Sequence, residues 1–272
     1  MGKLIGFFVG LVLARSFWAA VFFSIIGHFF FDKNRNKNDE ANREKLLKVQ
    51  RTFFETVFKL LGYLAKADGR INEKEIDLTQ GLMSRMGLTP EHKREAIAFF
   101  KQGAESEFNL EETLAKFTAV CGRRINLRNM VLVYMVELAV ADGAIGNIER
   151  EILLKVARGL GYSERISEHL INMLIAQAKF QTGYQQYSQQ GSGNAHGRSQ
   201  EQQLMNAYDA LGVEVTVSDA ELKRAYRKLM SQYHPDKLMG QGLPDDMVKA
   251  ATQRAQEVQT AYDLVRKHRG LR

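Results

Sequence analysis

The most pointed chemistry in this chain sits in three consecutive residues, His234-Pro235-Asp236. An imidazole and a carboxylate flank a ring that locks φ, so the tripeptide presents a fixed polar constellation. Proline also disfavours helical geometry at the residue before it, so a helix arriving at His234 must stop there. Just upstream, Lys223, Arg224, Arg227 and Lys228 crowd a segment whose apolar residues are Leu222, Ala225, Tyr226, Leu229 and Tyr233. No catalytic triad or metal cluster accompanies them. The chemistry on offer is recognition, in which cations steer an encounter with an acidic surface and a braced corner docks. A solvated basic face and a histidine resting on a helix dipole are the bland alternatives that these residues alone leave open.

A second constellation is acidic and repeated. Ala65-Lys66-Ala67-Asp68-Gly69-Arg70-Ile71, then Glu75 and Gly87, recurs as Ala139-Val140-Ala141-Asp142-Gly143-Ala144-Ile145, then Glu149 and Gly161, at matching offsets. Asp68, Glu75, Asp142 and Glu149 could converge on a divalent cation. The same residue types also cap helices and orient turns, no histidine or cysteine joins them, and the spacing is not that of a calcium loop. Cys121 is the only cysteine. It forms no intrachain disulfide and no cysteine-based zinc site, and its apolar helical context marks it as a core thiol. No cofactor is indicated.

The elements that must position these groups are helical. Among 272 residues the only prolines are Pro90, Pro235 and Pro244, while Leu, Ala, Glu, Lys and Arg abound, so the fold class is all-α. The formal net charge of +7 fits an acidic protein surface, anionic lipid or nucleic acid without choosing among them. Nucleic-acid binding by the basic helix is disfavoured by the nearly balanced charge of the C-terminal region.

Residues 4–31 are almost wholly apolar and aromatic, interrupted by Arg15 and His28. About 20 such residues suffice to cross a bilayer as a helix, and the run is too long and lacks the cleavage site of a signal peptide. A central arginine costs roughly 2.5–3.5 kcal/mol, which the surrounding Phe, Leu, Val and Ile residues offset. Residues 1–31 are therefore expected to hold a short N-terminus and a single-pass transmembrane helix. Lys33, Arg35, Lys37, Arg43 and Lys45 follow it, so the positive-inside rule places the bulk of the chain in the cytoplasm. Gly6, Gly10 and Ala14, in line with Gly2, form a small-xxx-small row that could bring two such helices together as a homodimer.

Residues 32–44 read as a juxtamembrane linker. Residues 45–182 then read as a helical domain built on the duplicated hairpin, opening with the apolar face Leu46, Leu47, Val49, Phe53, Phe54, Val57, Phe58, Leu60, Leu61 and Leu64. Asn72 with Glu75 makes a capping-box pattern, and further helices start at Thr89-Pro90, at Asn109, near Asn126 and at Ser163. Residues 183–203, rich in Gln, Gly and Ser, read as a flexible tether. Residues 204–272 contain a short helix through Ala210, a capping box at Ser218 and Glu221, the basic helix, a loop with Gly240, Gly242 and Pro244, and a last helix from about Asp246 to His268. Ala251, Ala255, Val258, Ala261, Tyr262 and Val265 should face the core of that last helix.

The A-x-A-D-G-x-I…E repeats resemble the TerB-like helical domain of tellurite-resistance proteins. The C-terminal region resembles the J domain of the DnaJ family, on Tyr208-Asp209-Ala210-Leu211-Gly212-Val213, the basic helix and His234-Pro235-Asp236 together. That resemblance implies a mechanism. The tripeptide, with Lys223, Tyr226, Arg227 and Lys228, docks on a DnaK-class chaperone and speeds its ATP hydrolysis, so this chain is not itself the enzyme. The order of anchor, TerB-like domain, tether and J domain resembles the membrane-anchored DnaJ-like co-chaperones of bacteria. It implies a regulatory role at the inner membrane, with a short periplasmic N-terminus and a link to envelope or capsule signalling. A competing function is a membrane scaffold or metal sensor acting through the TerB-like domain. Two departures stand out. The Gly/Phe-rich and cysteine-rich modules of full DnaJ proteins are absent, and Leu238-Met239-Gly240-Gln241-Gly242-Leu243-Pro244 lengthens the segment after the tripeptide.

Overall fold

The apolar periodicity of the middle of the chain becomes a set of helices in the computed structural model. It describes residues 33–67, 69, 73–122, 124–141, 145–189 and 196–271, and helix with no strand is found among them. The expected transmembrane helix, with Gly6, Gly10 and Ala14, lies outside the described residues. Among those described, no helix is long and apolar enough to cross a membrane.

Helix α1 (Lys33–Ala65) carries the broad apolar stripe, and α2 (Glu73–Met86) follows the Asp-Gly turn. Val49, Phe53, Phe54, Val57, Phe58, Leu60, Leu61 and Leu64 are all buried, whereas Leu47 is 55% exposed. Helix α3 (Pro90–Gly103) has Thr89 as N-cap, its side chain accepting from the His92 amide, and Pro90 in the first turn. Helix α4 (Leu110–Cys121) is capped by Asn109, whose Oδ1 accepts from the Glu112 amide at 2.9 Å. Where α1 crosses α3, Gly62 and Gly103 leave no room for a side chain on either helix. That near-touching of backbones depends on the absence of both Cβ atoms.

Helix α5 (Ile125–Ala139) is the hub. Every residue from Met130 to Val136 is buried, so it is apolar all round instead of amphipathic. Helices α6 (Asn147–Gly159) and α7 (Glu164–Gln189) pack on it and on each other. Cys121 is buried, and burial pushes its thiol up to about 12, in keeping with a core role.

The C-terminal region comprises α8 (His196–Ala210), α9 (Asp219–Tyr233), α10 (Pro235–Gln241), a 3-10 turn (Asp245–Met247) and α11 (Val248–His268). Two expectations change. The segment after the tripeptide is not a loop: Pro235 opens α10, since a first-turn proline has no hydrogen bond to lose. Helix α10 closes at Gly242 (φ 102°), with the Leu243 amide donating to the Leu238 carbonyl at 2.9 Å. Residues 183–189 and 196–203, read as part of a tether, are helical, in keeping with the small helix penalty of the Gln residues frequent in both.

On α11 the anticipated Ala251, Val258, Ala261 and Val265 are buried, and Ala255 and Tyr262 half-buried. Arg254 and Glu257 are buried as well, which apolar periodicity does not foresee.

Candidate partner-docking site

The site is built outward from α9. Ser218 accepts from the Glu221 amide at 3.3 Å, while the Glu221 carboxylate accepts from the Ser218 amide at 3.2 Å and its hydroxyl at 2.6 Å. The capping box read from the sequence is therefore complete, and the Ser218 hydrogen bonds hold the Glu221 carboxyl below its ordinary range. Leu222, Leu229 and Tyr233 then turn inward toward α11, and the two helices pack together.

With that face buried, Lys223, Arg224, Arg227 and Lys228 are left exposed. They form two neighbouring i, i+4 rows, Lys223 with Arg227 and Arg224 with Lys228. Tyr226 is different. It stacks on Tyr262 at 4.1 Å between ring centres and hydrogen-bonds Gln259, so it is partly committed to the α9–α11 interface.

His234 leaves the helix with φ −63° and ψ 121°, ending α9 and opening α10 at one residue. It is exposed, as is Asp236, with Pro235 half-buried between them. The corner is braced from both sides. Tyr233 is fully buried, its hydroxyl donating to Gln177 at 3.2 Å and pushed up to about 12 by burial. Lys237 donates to the Ser231 hydroxyl at 2.7 Å across the bend. The structure thus brings His234, Asp236 and four cations to the surface on consecutive elements.

Arg269, which sequence reasoning missed, ties the end of α11 to the start of α9. It donates to the Tyr208 hydroxyl at 2.7 Å, the Val217 carbonyl at 2.7 Å, Asp219 at 2.8 Å and the Val215 carbonyl at 2.9 Å. A positive charge near a helix C-terminus is a weak hint of such a role, but its acceptors lie some 50 residues earlier in the chain.

The acidic constellation is only partly described. Asp68, Asp142 and the Glu75 side chain lie outside the described residues. Glu149 accepts from the Gly146 amide at 2.7 Å, which is a capping contact. Among the described residues, no group of three or more potential ligands could hold a metal ion.

Comparison with known proteins gives the same two parts. The family model for tellurite resistance protein TerB matches residues 55–171, and the DnaJ domain model matches residues 206–269. A co-chaperone protein DjlA from Photobacterium profundum is 38% identical over 278 residues, covering 100% of this chain and 99% of that protein. The chain belongs to the DjlA family of co-chaperones. The Escherichia coli K12 relative is 38% identical over 273 residues, covering 100% of this chain and 98% of its own length. The Vibrio cholerae relative is also 38% identical, over 283 residues, covering 100% and 99%. No solved structure gives a significant match. With a J domain in this family setting, the protein is a co-chaperone of a DnaK-class chaperone.

Proposed function

We propose that the chain regulates its DnaK-class partner by stimulating ATP hydrolysis through His234, Pro235 and Asp236. Lys223, Arg227 and Lys228 steer the encounter, and Tyr226 contributes from the edge of the same face. The observation that carries this reading is the exposed corner between α9 and α10, flanked by exposed cations and braced from behind by buried Tyr233. A proline-fixed constellation binds without ordering a loop first, and clustered cations raise the encounter rate with an acidic surface. The bond-breaking groups belong to the partner, and this chain acts as regulator and not as enzyme. The apolar residues 4–31 support a single-pass anchor in the bacterial inner membrane, with a short periplasmic N-terminus and the rest in the cytoplasm. Pairing through Gly6, Gly10 and Ala14 would place two J domains together, concentrating chaperone activity near membrane clients.

The test is single-turnover ATP hydrolysis by a DnaK-class chaperone with the full-length protein in lipid nanodiscs. His234→Gln should return the rate to the unstimulated value. Charge removal at Lys223, Arg227 and Lys228 should raise the half-maximal concentration and flatten its salt dependence. Stimulation by His234→Gln equal to that of the unaltered protein would end this reading.

A further inference from the structure

The lengthened segment after the tripeptide has no part in the chemistry above, yet it is among the best-buried stretches of the C-terminal region. Leu238, Leu243 and Met247 are each 0% exposed. Helix α10 packs on α5, the hub of the TerB-like domain. The buried Tyr134 hydroxyl on α5 donates to the Met247 carbonyl at 3.0 Å. The Thr89 amide at the start of α3 donates to the Asp246 carboxylate at 3.3 Å, and the His92 imidazole meets the same oxygen.

Helix α11 extends this contact onto α2 and α7. At its centre the Arg254 side chain, 2% exposed, reaches Glu137 of α5 at 2.7 Å and Glu257 of its own helix at 2.7 Å. The bond to Glu137 exists only while the two domains are together, and a guanidinium so buried needs carboxylate partners. Gln177 of α7 completes the set. It donates to the Ala210 carbonyl at 2.9 Å and accepts from Tyr233, one residue before His234.

From these contacts we infer that the TerB-like surface made by α2, the start of α3, α5 and α7 is an intramolecular docking site for this chain's own J domain. The segment 237–247 is the wedge that holds it there. The occupant is identified by complementarity: Glu137 meets Arg254, His92 meets Asp246, and the Tyr134 hydroxyl meets the Met247 carbonyl. Docked in this way the J domain turns its back to the TerB-like domain and keeps His234, Asp236 and the cations of α9 exposed. The TerB-like domain then positions the corner without touching the partner, and Gln177 and Glu137 are positioning residues.

The experiment uses full-length protein carrying His92→Cys and Asp246→Cys, a pair that replaces the His92–Asp246 contact and leaves Glu137–Arg254 and Tyr134–Met247 to hold the two domains, treated with a short bis-maleimide. Cys121 is buried and stays silent. The expected product is an internal crosslink at monomer mass. Glu137→Lys, which sets a second cation against Arg254, should lower its yield at least about tenfold, while Glu137→Asp should retain most of it. Arg254→Gln approaches the same bond from the J domain and should also lower the yield, with circular dichroism reporting that both variants stay helical. No crosslink in the parent protein, equal yield with Glu137→Lys and Arg254→Gln, or product only at twice the monomer mass would overturn the inference. The readout does not involve ATP hydrolysis, so its failure and a failure of the co-chaperone mechanism are told apart.

Discussion

Replacing Gly62 by alanine tests the helix crossing on which the TerB-like core is assembled. A Cβ on Gly62 would lie 1.9 Å from the Phe100 carbonyl oxygen, and one on Gly103 would lie 1.8 Å from the Lys59 carbonyl oxygen. Ordinary contact begins at 3.4 Å, so α1 and α3 must part by about 1.5 Å, and backbone oxygens cannot rotate away as a side chain would. The separation loosens the packing of Phe54 against Phe99 and of Lys59 over the Phe99 ring. Alanine's better helix propensity returns about 1 kcal/mol. Overpacking at a closed contact typically costs about 1–3 kcal/mol, and more when backbone must move. The clash therefore wins, for a net loss of about 2 kcal/mol. In urea unfolding of the full-length protein, followed by circular dichroism, the midpoint should fall by about 1 M for a slope of about 2 kcal/mol/M. The double variant with Gly103→Ala should lose less than the two single losses combined, because once the helices have parted the second methyl meets less resistance. An unchanged or raised midpoint for Gly62→Ala would refute the close approach.

Other expectations follow from single contacts. Cys121, buried with its thiol pushed up to about 12, should resist maleimide at neutral pH in the native protein and react fully in denaturant. Ser218→Ala should destabilise the J domain by about 1 kcal/mol in thermal unfolding, through loss of the α9 cap. Because the Glu221 carboxyl is held below its ordinary range, its contribution is present above the usual glutamate pKa and lost as pH falls through the lowered value. Glu221→Gln should therefore flatten the acid limb of the stability curve, and an unaltered limb would count against the box. Arg269→Ala should cost about 2 kcal/mol by removing charged hydrogen bonds to four acceptors, and Arg269→Lys should recover only part, since an ammonium cannot reproduce the guanidinium fork. Hydrogen exchange in α8 and in residues 211–218 would report that loosening.

What the amino-acid order determined by itself is whatever its neighbours within a few residues decide. The turn at His234-Pro235 follows from proline sterics, the caps at Thr89, Asn109 and Ser218 from side chains reaching amides three positions on, and the buried faces of α1 and α9 from apolar period. The corner and the basic face were legible for that reason. The glycines after the tripeptide read as a loop, and the structure makes that segment α10, because Pro235 suits a first turn and Gly242 a left-handed end. Tertiary structure alone decided the rest. Arg254 and Glu257 look like a solvated pair on α11 until Glu137, more than a hundred residues earlier, closes over them. Gly62 and Gly103 look like weak points in two helices until those helices cross. Arg269 finds its acceptors some 50 residues away. Charge, small size and helix position mark each residue as ordinary in sequence. Their roles depend on which distant group arrives, and pairing across the chain is set by the packing of whole helices and not by any short pattern.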